Sequence, residues 1–114
     1  MIVVDTDRRA LPQSLLRHVV LFSFKDTATA DQIKAIEEAF CALPGRIKEI
    51  HDFEWGTDVS VEGVSQEYTH CFLITFKDER DRDAYLPHPA HREFVSKLEA
   101  HLDRALVVDY WVQS

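Results

Sequence analysis

The sequence has few of the residues from which several common binding sites are built. Its three glycines, at positions 45, 56 and 63 of 114 residues, cannot form a Walker phosphate loop or a G-x-G-x-x-G dinucleotide loop. Positive charge is also scarce, because 13 Lys and Arg residues stand against 20 Asp and Glu residues and leave a formal charge of −7. Nucleic acids and anionic membrane surfaces bind clustered positive charge. We therefore expect neither of them as a partner.

Cysteines and long apolar runs are scarce as well. Cys41 and Cys71 cannot make a multi-bridge scaffold and lack the C-x-x-C spacing of a zinc or redox site, so we predict two buried thiols in a reducing compartment. No apolar run approaches the length of about 18 residues that a membrane-spanning helix needs. The start, from Met1 to Asp5, lacks the basic region of a secretory signal. These features favour a soluble, cytoplasmic protein.

Hydrophobic periodicity predicts one domain over residues 15–114, preceded by an N-terminal arm over residues 1–14. Strands are expected where β-branched and aromatic residues concentrate, at 15–25, 46–58, 67–77 and 105–113. A capping box from Thr29 to Gln32 predicts the start of a first helix, which carries one apolar stripe. A second helical region over 78–102 is interrupted by two prolines.

The predicted order is β-α-β-β-α-β, the ferredoxin-like arrangement of the α+β class, with both helices on one face of a four-stranded sheet and strand order 4-1-3-2. The other face would carry an apolar row formed by Val19, Leu21, Cys71, Leu73, Val108 and Tyr110. Such a patch is larger than monomers usually expose. Pairing two sheets across a twofold axis covers it, so we predict a homodimer.

His91 and Tyr85 are the strongest candidates for chemistry. His91 precedes Phe94 by three residues and Leu98 by seven, which places it on the apolar stripe of the second helix, near the N-terminal end. An imidazole there can serve as a general acid or base near neutral pH, or it can be a core histidine bonded to a backbone carbonyl. Tyr85 could donate a proton into the same space or cover the core edge.

His18 and Asp109 are polar residues within apolar rows of the first and last strands. These strands are neighbours in the predicted sheet, so the carboxylate could fix the tautomer of the imidazole or form a buried ion pair with it. Val20 and Phe22 share the strand face of His18.

Neither a metal nor a cofactor is predicted. His88 and His91 have the i, i+3 spacing of two metal ligands, but no third ligand follows with suitable spacing. Proton transfer next to a carbonyl can run on side-chain acids and bases alone.

Five segments together resemble the stress-responsive A/B barrel family. They are HVVLFSFKD (18–26), WGTDVS (55–60), EYTH (67–70), YLPHPAH (85–91) and VVDY (107–110). The H-P-A-H element before the last helix is the most specific of them, and the resemblance covers about residues 16–112. It implies a dimeric α+β barrel, in which the sheets of two ferredoxin-like units face each other.

The resemblance also implies roles for single residues. The family contains stress-induced proteins and a cofactor-free enzyme that closes a linear polyketide thioester by aldol condensation. The motif Tyr and His of that enzyme match Tyr85 and His91, and a strand histidine and a late aspartate in its pocket match His18 and Asp109. The resemblance thus implies catalytic roles for Tyr85 and His91, and it implies that His18 and Asp109, with Val20 and Phe22 on the same strand face, bind a small hydrophobic ligand. Pro87 departs from an aliphatic residue of that enzyme, so the resemblance does not carry its substrate over.

Two functions therefore stand side by side. The protein is either a dimeric barrel whose apolar pocket binds or turns over a hydrophobic carbonyl compound, as a cyclase or lyase, or a non-catalytic stress-response or structural dimer. A cofactor-free monooxygenase-like barrel is a third, weaker alternative. A void between the sheet and the second helix would favour the first function, and a space filled by side chains would favour the second.

Overall fold

Four strands form one antiparallel sheet in the computed structural model, which describes residues 14–113. They are β1 (Leu16–Phe24), β2 (Asp52–Thr57), β3 (His70–Phe76) and β4 (Leu102–Trp111). Their spatial order, β2-β3-β1-β4, is the predicted one, with β1 and β3 in the centre. The ferredoxin-like arrangement is therefore confirmed.

Helices connect the strands where the capping signals predict them. They are α1 (Ala30–Cys41), a 3₁₀ turn (Leu43–Gly45), α2 (Glu79–Tyr85) and α3 (Pro89–Glu99). The capping box of α1 is present, because the Gln32 backbone donates to Thr29 Oγ1 and the Thr29 backbone donates to Gln32 Oε1. Within residues 14–113, no helix is long and apolar enough to cross a membrane.

The core lies between the helices and one face of the sheet, and phenylalanine dominates it. Phe40 of α1 stacks on Phe72 of β3 with ring centroids 4.2 Å apart, and Phe94 of α3 lies 4.5 Å from Phe40. All three rings are buried. The central strands β1 and β3 bury one face in this way because their side chains alternate between the two sides of the sheet.

The opposite sheet face is the apolar row that the sequence predicts. Val19 lies opposite Leu73 on β3 and Val108 on β4, and Leu21 lies opposite Cys71. Residues that are directly opposite in a sheet project to the same side. The β4 members of this row are half-exposed, at 43% for Leu106, 48% for Val108 and 45% for Tyr110.

Several sequence-based boundaries were wrong. β2 begins at residue 52 rather than 46, because the chain first makes the 3₁₀ turn and buries Ile47 beside it. β3 begins at residue 70 rather than 67, because Gln66 and Glu67 have positive φ angles of 55° and 70° that no extended strand adopts. β4 begins at residue 102 rather than 105, so Leu102 belongs to a strand and not to a helical stripe.

The prediction of two buried thiols was also wrong. Cys41 and Cys71 are both exposed. Cys71 alternates with buried His70 and Phe72 along β3 and therefore projects to the uncovered face. The predicted N-terminal arm, except for Ser14, lies outside the described residues and stays a prediction.

Candidate active site

A cavity of about 300 Å³ lies between the sheet and α3, where the sequence analysis places the deciding void. Its walls are His18, Val20, Phe22, Phe40, Tyr85, Leu86, His91, Phe94, Val95, Leu98, Ala105, Val107 and Asp109. All six residues predicted from the sequence to form the site are among them. A mostly apolar cavity with a few convergent polar groups is the usual form of a small-molecule site.

The first polar pair of the cavity joins β1 to β4. His18 lies directly opposite Asp109 in the strand register, and its Nδ1 donates to Asp109 Oδ1 at 2.6 Å. The carboxylate fixes the tautomer, because a proton held on Nδ1 leaves Nε2 with a lone pair in the neutral ring. The predicted proximity of these two residues is confirmed.

The second polar pair joins the end of α2 to the start of α3. The rings of Tyr85 and His91 lie 4.4 Å apart, and the Tyr85 ring lies 5.8 Å from that of His18. His91 Nδ1 donates to the backbone carbonyl of Leu86 at 2.9 Å. A carbonyl can only accept, so the proton is on Nδ1 and the Nε2 of a neutral His91 is free to act as a base.

Burial favours the neutral form of both groups. Desolvation lowers the pKa of His91, and the nearby His18 and His88 lower it further, while the bond to Leu86 opposes the shift. Desolvation raises the pKa of the buried Tyr85 phenol. At neutral pH the cavity therefore holds an unprotonated imidazole beside a protonated phenol.

The break between α2 and α3 sets the positions of Tyr85 and His91. Pro89 occupies the first turn of α3, where a missing N–H costs no helical bond, and His88 Nδ1 accepts from the Ala90 backbone at 3.0 Å as the cap. The new helix thus starts two residues before His91. The imidazole of His91 is half-buried at the edge of the cavity, near the buried Phe94.

Sequence reasoning missed Arg82. Its Nη1 donates to Asp109 Oδ2 at 3.1 Å, and its Nε donates to Asp83 Oδ1 at 3.0 Å. Charged residues dominate α2, and alone they do not distinguish a solvated helix from one that contacts a site. The available signal was spacing, because Arg82 precedes Tyr85 by three residues and so lies on the same face of α2.

Sequence reasoning also did not single out Glu37. Its Oε2 accepts from Nε2 of the buried His70 at 2.7 Å, and Nδ1 of that ring accepts from the Thr69 hydroxyl at 2.8 Å. This cluster fastens α1 to β3. His70 does not line the cavity between the sheet and α3.

The described residues give no support to a metal centre. Within residues 14–113, no three or more His, Cys, Asp or Glu side chains are grouped so that they could hold a metal ion. The Nδ1 atoms of His88 and His91 are each hydrogen-bonded to a backbone group, the first to the Ala90 N–H and the second to the Leu86 carbonyl.

Comparison with known sequences agrees with the fold. The profile of the stress responsive A/B barrel domain matches residues 16–112. The chain belongs to this family. Stress-response A/B barrel domain-containing protein HS1 from Arabidopsis thaliana is 39% identical over 95 residues, which are 83% of this chain and 87% of that protein. Olivetolic acid cyclase from Cannabis sativa is 28% identical over 95 residues, which are 83% of this chain and 94% of the cyclase.

Several solved structures have a backbone fold similar to that of this A/B barrel domain. The hydroxynitrile lyase from Passiflora edulis superposes with a TM-score of 0.81 at 25% identity, covering 87% of this chain and 94% of the lyase. A dimeric ferredoxin-like protein of unknown function from Thermobifida fusca superposes with a TM-score of 0.76 at 26% identity, covering 87% of this chain and 92% of its own. The similar proteins thus include two enzymes and a dimer.

Proposed function

We propose that this A/B barrel protein is a homodimeric, cofactor-free cyclase or lyase that acts on a small hydrophobic carbonyl compound. The observation that carries the proposal is the pairing of His91 and Tyr85 at the edge of an apolar cavity, where no side chain or backbone group of residues 14–113 bonds to Nε2 of His91. The similarity to a cyclase and to a lyase supports the reaction class.

In the proposed reaction His91 removes a proton from the carbon next to a carbonyl group of the substrate. The C–H bond breaks, the proton goes to Nε2, and the electron pair moves to the carbonyl oxygen as an enolate. The Tyr85 hydroxyl donates a hydrogen bond to that oxygen. The enolate carbon then attacks a second carbonyl carbon of the same molecule, and the proton returns from His91 to the new alkoxide.

The environments of the two groups suit these steps. A lowered pKa keeps His91 unprotonated at neutral pH, so it can accept a proton, and a raised pKa keeps the Tyr85 phenol able to donate. His18, held by Asp109, is placed to orient the ligand from the opposite wall. Val20 and Phe22 provide apolar contact for the rest of the substrate.

The homodimer forms through the uncovered sheet face. Leu106, Val108 and Tyr110 remain half-exposed there, and a similar protein of the same fold is dimeric. A second cavity, of about 350 Å³, lies on this face under the 58–69 connection and would be closed by the partner sheet. We also place the protein in the cytoplasm, where exposed thiols such as Cys41 stay reduced.

Turnover of a polyketide-like diketo thioester tests the catalytic proposal. General acid–base groups contribute about 10² to 10⁴ in rate, so His91→Ala should reduce turnover by at least about 10² while the dimer persists. Tyr85→Phe should reduce turnover less, because the ring and its packing remain. His51→Ala, which removes an exposed imidazole outside the cavity, is the matched control and should retain full turnover.

The opposite result supports the non-catalytic stress dimer. A histidine bonded to a backbone carbonyl, as His91 is to Leu86, is also what a purely structural residue looks like. In that case His91→Ala lowers thermal stability, and the wild-type protein accelerates the reaction of the thioester no more than the His91→Ala variant does.

A further inference from the structure

We infer that Arg82 is a positioning residue of this site, which holds the Asp109 carboxylate in the orientation that fixes the His18 imidazole. The inference rests on the proposed function, since it gives His18 a role in orienting the ligand. It adds a residue that acts through two others and does not itself line the cavity.

The Asp109 carboxylate uses one oxygen for each partner. Oδ1 accepts from His18 Nδ1 at 2.6 Å, and Oδ2 accepts from Arg82 Nη1 at 3.1 Å. Asp109 lies on the edge strand β4, and its side chain is 28% exposed. Rotation about the last torsion of an aspartate is only weakly restricted, so a second anchor is needed to hold the plane of the carboxylate.

Arg82 is itself held from its own helix. Its Nε donates to Asp83 Oδ1 at 3.0 Å while Nη1 reaches Asp109. Asp78 caps the start of α2 by accepting from the Asp81 backbone at 2.9 Å, which stabilises the helix that carries Arg82. The planar guanidinium can serve both carboxylates at once, whereas a lysine ammonium offers no fixed fork.

Charge balance favours the same role. An ionised Asp109 beside a mostly apolar cavity would lack a full counter-charge if neutral His18 were its only partner. Arg82, whose side chain is 21% exposed, supplies that charge from the outer side of the carboxylate. It does so without placing a cation in the cavity. Two carboxylates already face Arg82, so it is poorly suited to bind an anionic substrate.

The His18 ring proton reports directly on this arrangement and needs no substrate. In ¹⁵N-labelled protein the Nδ1–H resonance of His18 is assigned by its loss in His18→Gln, and its exchange rate with water is measured. Arg82→Met keeps the apolar stem and removes the guanidinium, so the exchange should become at least about tenfold faster. Arg82→Lys should fall between Arg82→Met and wild type.

Arg80→Met is the matched control, the same change at an exposed position of the same helix, and should leave the exchange rate within twofold of wild type. An unchanged exchange rate in a folded Arg82→Met dimer would overturn the inference. So would an equal acceleration in Arg80→Met, which would indicate general loosening of α2.

Turnover of the diketo thioester separates this inference from the proposed function. If wild-type protein turns the thioester over, Arg82→Met should lower kcat about tenfold with KM within twofold, and Arg82→Lys should recover part of the loss. If wild-type protein shows no turnover, the proposed function fails, and the exchange of the His18 proton still decides whether Arg82 positions Asp109 and His18.

Discussion

The predicted dimer interface can be tested at one residue of β4. Val108 projects from the uncovered sheet face, directly opposite Val19, and its side chain is 48% exposed in the single chain. Val107, its neighbour in sequence, projects to the cavity side and is 51% exposed. Substituting aspartate at each position therefore places the same charge on opposite faces of one strand.

The expected loss of association free energy follows from this geometry. Complete burial of a valine side chain contributes roughly 1.5 kcal/mol or more, so covering its exposed half contributes about 1 kcal/mol. Because the interface is twofold symmetric, the substituted residue occurs once in each subunit and its cost applies twice. Burying each unpaired carboxylate costs several kcal/mol more. Val108→Asp should therefore cost at least about 6 kcal/mol, which weakens the dimer by a factor of about 10⁴.

Sedimentation equilibrium provides the measurement. Wild type and Val107→Asp should sediment as dimers at micromolar concentration, and Val108→Asp should sediment as a monomer of 13.2 kDa. Circular dichroism checks that both variants retain the fold. A dimeric Val108→Asp protein, or dissociation caused equally by Val107→Asp, would refute the assignment of the interface to this sheet face.

Three further outcomes follow from the burial and charge of single groups. Because burial lowers the pKa of His91 in the folded protein, the unfolded chain binds the proton more readily, so the free energy of unfolding in urea should fall as the pH drops below about 6.5. The free energy of unfolding of His91→Gln should fall less steeply with decreasing pH, and equal slopes for the variant and wild type would contradict a lowered pKa of His91. Phe40→Ala removes a fully buried ring stacked on Phe72 and should lower that free energy by about 3–5 kcal/mol, whereas a loss below about 1 kcal/mol would mean that the ring is not packed as described. EDTA should leave turnover and Tm unchanged, and recovery of lost activity by one added metal would contradict this.

The features that sequence predicted well depend on strong periodic signals. Alternating side chains in β1 separate His18 and Val20 from Val19 and Leu21, and this division fixes both the cavity wall and the uncovered face. The chain order of the elements then places β1 beside β4, which brings His18 to Asp109. That these two residues could lie close together was therefore derivable without coordinates, whereas the strand register that sets them directly opposite each other was not.

The features that sequence missed depend on where one element packs against another. To predict the role of Glu37, one must know how closely α1 packs on β3. To predict the role of Arg82, one must know the angle at which α2 meets the edge of β4. Neither quantity is encoded in a single helical or strand period. The exposure of Cys71 was missed for a different reason, because small apolar residues are usually buried but an interface face exposes them in the single chain.

Deuterium uptake at the substrate carbon is the most direct test of His91 as the base. The diketo thioester is mixed with protein in D₂O, and exchange at the carbon next to its carbonyls is followed by rapid quenching and mass spectrometry. The account predicts that wild type and His51→Gln accelerate the exchange over buffer and that His91→Gln, with its dimer intact, does not. Equal acceleration by His91→Gln and wild type, or none by wild type, would contradict the proposed role of the cavity.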